Sequence, residues 1–232
     1  EGLFPDFSAL WLFLHASRFG VAGTSPSDCP LENWKERSRL DGAAAKDNLR
    51  LGVEAALIEL GRGFIKHPAN SELRDKFHSG HLKRQEYYEE LLRLVYRLIF
   101  LFAAEDRNLL HTANAPETVK KAYLGGYSLH RLRERSVRNA SLDKNIDAWE
   151  GVKSLFNALA DGQTGLGLVA LGGLFEPQKL SNLTSLKIEN KKFLKTIWHL
   201  SWFRPEGEVM TKVNWRDMET EELGSVYESL LE

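Results

Sequence analysis

The sequence predicts a mainly α protein: an irregular multi-helix domain around one central buried helix at about residues 87–110, with at most a minor two-stranded β element near 209–215. Three observations carry this. In Tyr87–His111, YYEELLRLVYRLIFLFAAEDRNLLH, the residues Leu91, Leu94, Val95, Leu98, Phe102 and Leu109 fall near helical spacing, and residues 98–104 are apolar on every side. Such a helix must be surrounded by protein. Leu49, Val53, Ala56, Leu57, Leu60 and Phe64 form a single helical stripe that Pro68 stops. Strand-like alternation is confined to Val209, Thr211, Val213 and Trp215, where β-branched and aromatic residues recur with period two.

Taken in order, Phe7, Leu10, Trp11 and Leu14 mark a first amphipathic helix, and Gly20, Gly23, Ser25, Pro26 and Ser27 a loop after it. Pro30 suits the first turn of a short second helix, separate from the longer one that carries the 49–64 stripe, because proline is tolerated where the amide has no partner. A short helix around Leu73 and Phe77 ends at Gly80, the central helix follows, and Pro116 opens another that closes at Gly125 and Gly126. Ser128–Arg138 reads as a basic helix, and Trp149, Val152, Leu155, Phe156 and Leu159 as an apolar face that ends at Asp161 and Gly162. Five glycines and prolines make the stretch to Leu186 a loop, before Phe193, Leu194, Ile197 and Trp198 resume a helix. Leu223, Val226, Tyr227 and Leu230 give a terminal helix. The expected organisation is one helical domain over 1–232, with a possible subdivision near 162–186.

With 31 Lys and Arg against 32 Asp and Glu, the net charge of −1 favours neither nucleic acid nor a basic partner as a whole. Any such preference must be local. One cysteine, Cys29, allows no internal disulfide and fits a reducing, cytoplasmic setting. Arg93 and Arg97 interrupt the central run and Glu105, Asp106 and Arg107 close it, so it falls short of the roughly 18 uninterrupted apolar residues of a membrane span. The chain begins at Glu1 without methionine and stops inside the last helical pattern, and is read as a fragment of a longer protein.

Motifs of chemistry fail on context. Gly165, Gly167 and Ala170 match a dinucleotide or methyl-donor loop, but no apolar strand precedes them. Glu189 and Lys191, with Pro5-Asp6, supply halves of a metal-dependent nuclease signature that stand far apart and lack their strand pair. His78 and His81 have no third ligand at a helical offset. No serine sits in a G-x-S-x-G turn. No catalytic, cofactor-binding or metal residue is therefore assigned.

Two groups remain. Lys120, Lys121, Arg131, Arg133, Arg135 and Arg138, against the single acid Glu134, form a basic segment with Tyr123, Tyr127 and His130 interspersed. These six are candidates for DNA-backbone contact. Glu105, Asp106 and Arg107 are expected to be structural: the acids pair with Arg107, Arg97 or another arginine and fix the end of the central helix. A weaker basic cluster, Lys187, Lys191, Lys192 and Lys195, is divided by Glu189.

PDFSALWLFLHASRF from Pro5, ELLRLVYRLIFLFAAEDRNLLH from Glu90, YSLHRLRERS from Tyr127, WEGVKSLFNAL from Trp149, ALGGLF from Ala170 and EELGSVYESLLE from Glu221 follow one another in order. This series resembles the N-terminal helical region of large bacterial DNA adenine-N6 methyltransferases, the type IIG restriction-modification enzymes and the PglX-like methyltransferases of BREX phage defence. The resemblance implies an accessory domain ahead of a core that binds S-adenosylmethionine and methylates a flipped adenine. No N-P-P-Y or D-P-P-Y tetrapeptide occurs here, so none of that core's residues maps onto this chain. The implied partners are the rest of the methyltransferase and duplex DNA, with no membrane, and S-adenosylmethionine belongs to the parent alone. An alternative of another class is a protein-interaction scaffold for defence-system subunits.

Overall fold

The computed structural model describes residues 3–19, 25, 28–204, 209–216, 218 and 224, without the side chains of 3–5, 9 and 37–47. The terminal helix expected over 223–230 and most of the loop expected around Gly20–Ser27 lie outside the described residues. Contacts divide the chain into two units, Glu1–Asn48 and Leu49–Glu232. The glycine-rich 162–186 stretch belongs wholly to the second.

In the first unit, α1 (Leu3–Leu14) leads into a 3-10 turn at Ala16–Arg18. His15 caps that turn, its Nδ1 accepting from the Ser17 amide at 3.3 Å. The Arg18 guanidinium lies 5.1 Å from the Trp34 ring centre, and Phe13 meets the same ring edge-on at 5.9 Å. The predicted first helix forms as α1, and its Phe7, Leu10, Trp11, Leu12, Phe13 and Leu14 are all 46–62% exposed.

The sequence reading of two helices before Pro68 is also corrected, because α2 runs unbroken over Pro30–Lys66. Gly42 is the only breaker between the two predicted pieces. A lone helical glycine costs only about 1 kcal/mol against alanine, and the three alanines after it favour continuation. In the second unit the 49–64 stripe is buried as predicted. Its neighbours are α3 (Ser71–His78), α4 (Arg84–Asp106), α5 (Glu117–Gly126), α6 (Leu129–Ser136), α7 (Asp147–Asp161) and α8 (Asn190–Ser201).

The predicted central helix is α4, with Leu91, Leu94, Val95, Leu98, Leu101 and Phe102 in the core. Leu109 is not on its buried face, because the helix has already turned. Asn108 takes φ 56°, its amide donates to Glu105 O at 3.1 Å, and the Leu109 amide donates to Ala104 O at 2.9 Å. This is a Schellman stop, with asparagine replacing the usual glycine. Leu109 is left pointing outward.

Trp149 on α7 joins three helices: its ring packs against Phe64 of α2 at 5.7 Å, Phe193 of α8 at 5.5 Å and Phe156 at 6.3 Å. Its Nε1 donates to Leu186 O at 3.0 Å. The indole thus satisfies its polar atom while its large apolar surface is removed from water.

The 162–189 stretch has little regular structure but is anchored at every turn. It buries Leu168, Phe175, Leu180, Leu183, Leu186 and Ile188. Glu90 of α4 accepts from the Asn182 and Leu183 amides at 3.1 and 3.2 Å and from Asn182 Nδ2 at 2.6 Å. Asn70 brackets Lys187, donating to its carbonyl at 2.7 Å and accepting from its amide at 2.9 Å. These side chains supply the partners that secondary structure would otherwise give a buried backbone. The minor β element pairs β1 (Trp202–Phe203) with β2 (Thr211–Lys212) antiparallel, Trp202 opposite Lys212. Beyond it Trp215 stacks on Phe102 of α4, rings 6.0 Å apart and nearly parallel.

Candidate functional site

The basic segment and the acidic end of α4 come together at the start of α6. Ser128 is the N-cap, its Oγ accepting from the Arg131 amide at 3.3 Å. The two amides before that one, Leu129 and His130, donate to Glu105 at 2.7 and 2.9 Å. The first three amides of α6 are therefore all satisfied, two of them by a carboxylate on another helix. A negative charge there also meets the positive end of the helix dipole. Tyr123 Oη donates to the same carboxylate at 2.6 Å.

Burial pushes the Glu105 carboxyl above its ordinary range, outweighing Tyr123, the two amides and Arg133, which pull it down. Burial likewise raises the Tyr123 hydroxyl, and the adjoining Glu105 adds to the effect. Three donors occupy the Glu105 oxygens, which leaves little acceptor capacity for a proton relay.

Asp106 lies 3.7 Å from Arg133. That guanidinium is 1% exposed and sits 4.8 Å from the centre of the Phe102 ring, with Nε and Nη1 unpartnered among the described residues. Burial lowers its pKa, with Asp106 and then Glu105 opposing. Arg133 is accordingly withdrawn from the DNA-backbone candidates, since a buried guanidinium cannot reach a phosphate. Arg107 does not pair with the neighbouring acids. Its Nε donates to Arg216 O at 2.9 Å and its Nη2 to Met218 O, tying the segment after β2 to the end of α4. Arg97 is not their partner either; its Nη2 donates to Glu176 O.

The other five cations divide in two. Lys120 pairs with Glu117 at 2.8 Å and Arg135 with Asp147 at 3.0 Å. Lys121, Arg131 and Arg138 are exposed and form no ion pair with a described residue. They stand on α5, on α6 and just after α6. Of the weaker cluster, Lys192 pairs with Glu59 at 2.9 Å.

A cavity of about 490 Å³ opens beside the α4 end, lined by Glu105, His111, Thr112, Lys120 and Tyr123 among others. The His111 ring meets Tyr123 edge-on at 5.1 Å, and its Nδ1 has no hydrogen-bond partner among the described residues. Tyr123 and His111 were not singled out for this site by sequence; a tyrosine 18 residues from its carboxylate leaves no local pattern.

The motifs set aside earlier have structural positions. Gly167, at φ 62°, packs so closely that a Cβ would stand 3.0 Å from Ala115 Cβ, just before α5, and 3.2 Å from Val119 Cγ1 on it. Glu189 is the N-cap residue of α8, and Asp6 is exposed in the first unit. His81 Nδ1 lies 2.7 Å from Ser79 Oγ. Among the described residues no group of three His, Cys, Asp or Glu could hold a metal ion, and no helix is long and apolar enough to cross a membrane. No protein family, curated protein or solved structure matches this chain.

Proposed function

We propose that this chain is a noncatalytic helical accessory domain of an S-adenosylmethionine-dependent, site-specific DNA adenine methyltransferase of restriction-modification or phage-defence type. In that role it supports the catalytic core and contacts the DNA backbone through Lys121, Arg131 and Arg138. The observation that carries the DNA contact is that these three cations are exposed and form no ion pair with a described residue, whereas Arg133 is buried and Lys120 and Arg135 pair with Glu117 and Asp147. The sequence blocks behind the resemblance supply α4, α6 and α7, whose side chains Glu105, Asp106, Arg133 and Trp149 are committed to capping and packing. Phosphate contact by free cations is sequence-independent, so no base readout is implied.

The test is fluorescence anisotropy of a labelled duplex at low salt. Replacing Lys121, Arg131 and Arg138 by Gln should weaken binding equally for unrelated duplex sequences. Unchanged binding would overturn the proposal for this surface.

A second reading, a scaffold for defence-system subunits, is favoured by the exposed apolar residues of α1. Contiguous exposed apolar surface marks interaction sites. That reading expects no salt-sensitive DNA binding at all, so the same titration separates the two.

A further inference from the structure

The guanidinium of Arg97 is enclosed on α4, remote in sequence from the α6 surface. The residue is 1% exposed, its guanidinium lying 5.3 Å from the Phe156 ring centre and 5.7 Å from that of Phe175. Burial, and secondarily Arg93, lower its pKa to about 10 against the opposing pull of Glu176. It therefore remains charged at neutral pH. One of its five N–H groups is engaged, by Glu176 O at 2.7 Å, and no carboxylate of a described residue pairs with it. The Glu176 carboxylate instead lies 3.8 Å from Lys179. The remaining donors of Arg97 are left for solvent or a ligand in the cavity that it lines.

Arg97 lines a cavity of about 480 Å³ together with Lys153, Ser154, Asn157, Phe156 and Phe175. This is within the range of small-molecule sites, about 300–1,000 Å³, and larger than a bare ion requires. Lys153 is held at the cavity, its Nζ 2.8 Å from Glu150 and donating to Thr184 O at 3.1 Å. Glu150 also lines the cavity, so two cations of its wall stand against one carboxylate, with Arg93 and the Glu176 carboxylate within electrostatic reach of Arg97 from outside it. The hydroxyl of Ser154 and the amide of Asn157 add neutral hydrogen-bonding groups, and the phenyl rings an apolar wall.

We propose that this cavity binds a small organic oxyanion, a carboxylate or a phosphate monoester, with Arg97 as the fork-shaped donor, Lys153 as the second charge, and Phe156 and Phe175 against the apolar body of the ligand. Arg97 suits the role because a planar guanidinium presents paired donors that match both oxyanions. The proposal does not depend on the DNA-contact reading, since none of the three surface cations lines this cavity.

Calorimetric titration at constant ionic strength with benzoate, phenyl phosphate and benzyl alcohol tests it. The three share one ring and differ in the group offered to Arg97. Saturable one-to-one binding of either anion, with the alcohol at least tenfold weaker, is expected. Preference between the anions identifies the oxyanion class. Arg97→Lys should weaken anion binding by about tenfold, the loss expected from one charge-assisted hydrogen bond. Lys153→Gln alters a residue nearer the surface and should also weaken it, and this variant alone decides the matter if Arg97→Lys does not fold. Absence of saturable binding by both anions, equal binding of the alcohol, or unchanged anion affinity in Lys153→Gln would each overturn the proposal.

Discussion

Glu105 receives donors from two elements, Tyr123 on α5 and the first two amides of α6. Removing the carboxylate strands all three, and an unsatisfied donor costs about 1–3 kcal/mol. Because the site is only partly buried, Glu105→Ala should lower the unfolding free energy by about 2–4 kcal/mol; a urea-denaturation loss below about 1 kcal/mol would contradict the capping role. The raised carboxyl pKa also sets a pH dependence. The folded chain holds this proton more tightly than the unfolded chain. Its contribution is complete below the unfolded value of about 4.3 and is lost as pH rises through the higher folded value. The stability of Glu105→Gln should therefore fall less than that of the native chain as pH rises above about 4.3, and parallel curves would count against the shift. A structural role for Glu105 and Asp106 is legible from their position at the end of an apolar helix. Their partners are not, since Arg133 and Tyr123 approach only through the turn that Asn108 creates. Arg133 reads as surface because a run of arginines resembles a solvated face; its burial on Phe102 is a tertiary outcome.

At the scale of elements, two glycines in helices make opposite predictions. A Cβ on Gly52 of α2 would stand 2.5 Å from His199 O of α8, a backbone atom that cannot swing aside. Gly52→Ala should therefore push the helices apart and destabilise the chain by about 1–3 kcal/mol, the usual cost of overpacking. Gly151 of α7 has nothing within 4 Å of such a Cβ. Gly151→Ala should stabilise by about 0.5–1 kcal/mol through helix propensity alone. Chemical denaturation of both variants checks this, and the same sign in both would contradict the packing described. Most helices are legible from the sequence because apolar spacing and stop residues agree, as at Asp161 and Gly162, where Gly162 takes φ 80°. The join within α2 is missed because Pro30 marks a start but nothing marks an end. The partner of the minor strand is missed because Trp202–Phe203 follows α8 without a turn signal.

For the molecule as a whole, fold class is the most legible property: a mainly helical chain with, among the described residues, one two-stranded antiparallel sheet. The anchored 162–189 stretch was not legible, because its order comes from Glu90, Asn70 and Trp149 on distant helices rather than from local propensity. The proposed phosphate contact rests on fewer residues than the basic segment suggested, since Arg133 is buried and Lys120 and Arg135 pair with Glu117 and Asp147. The central claim is that Lys121, Arg131 and Arg138 contact phosphates. Each phosphate contact contributes about 0.9 to the slope of log affinity against log salt. The most direct measurement is that slope, taken for the native chain and for the triple Gln variant on one duplex. The account predicts that the variant's slope is shallower by about 2–3, and an unchanged slope would contradict it.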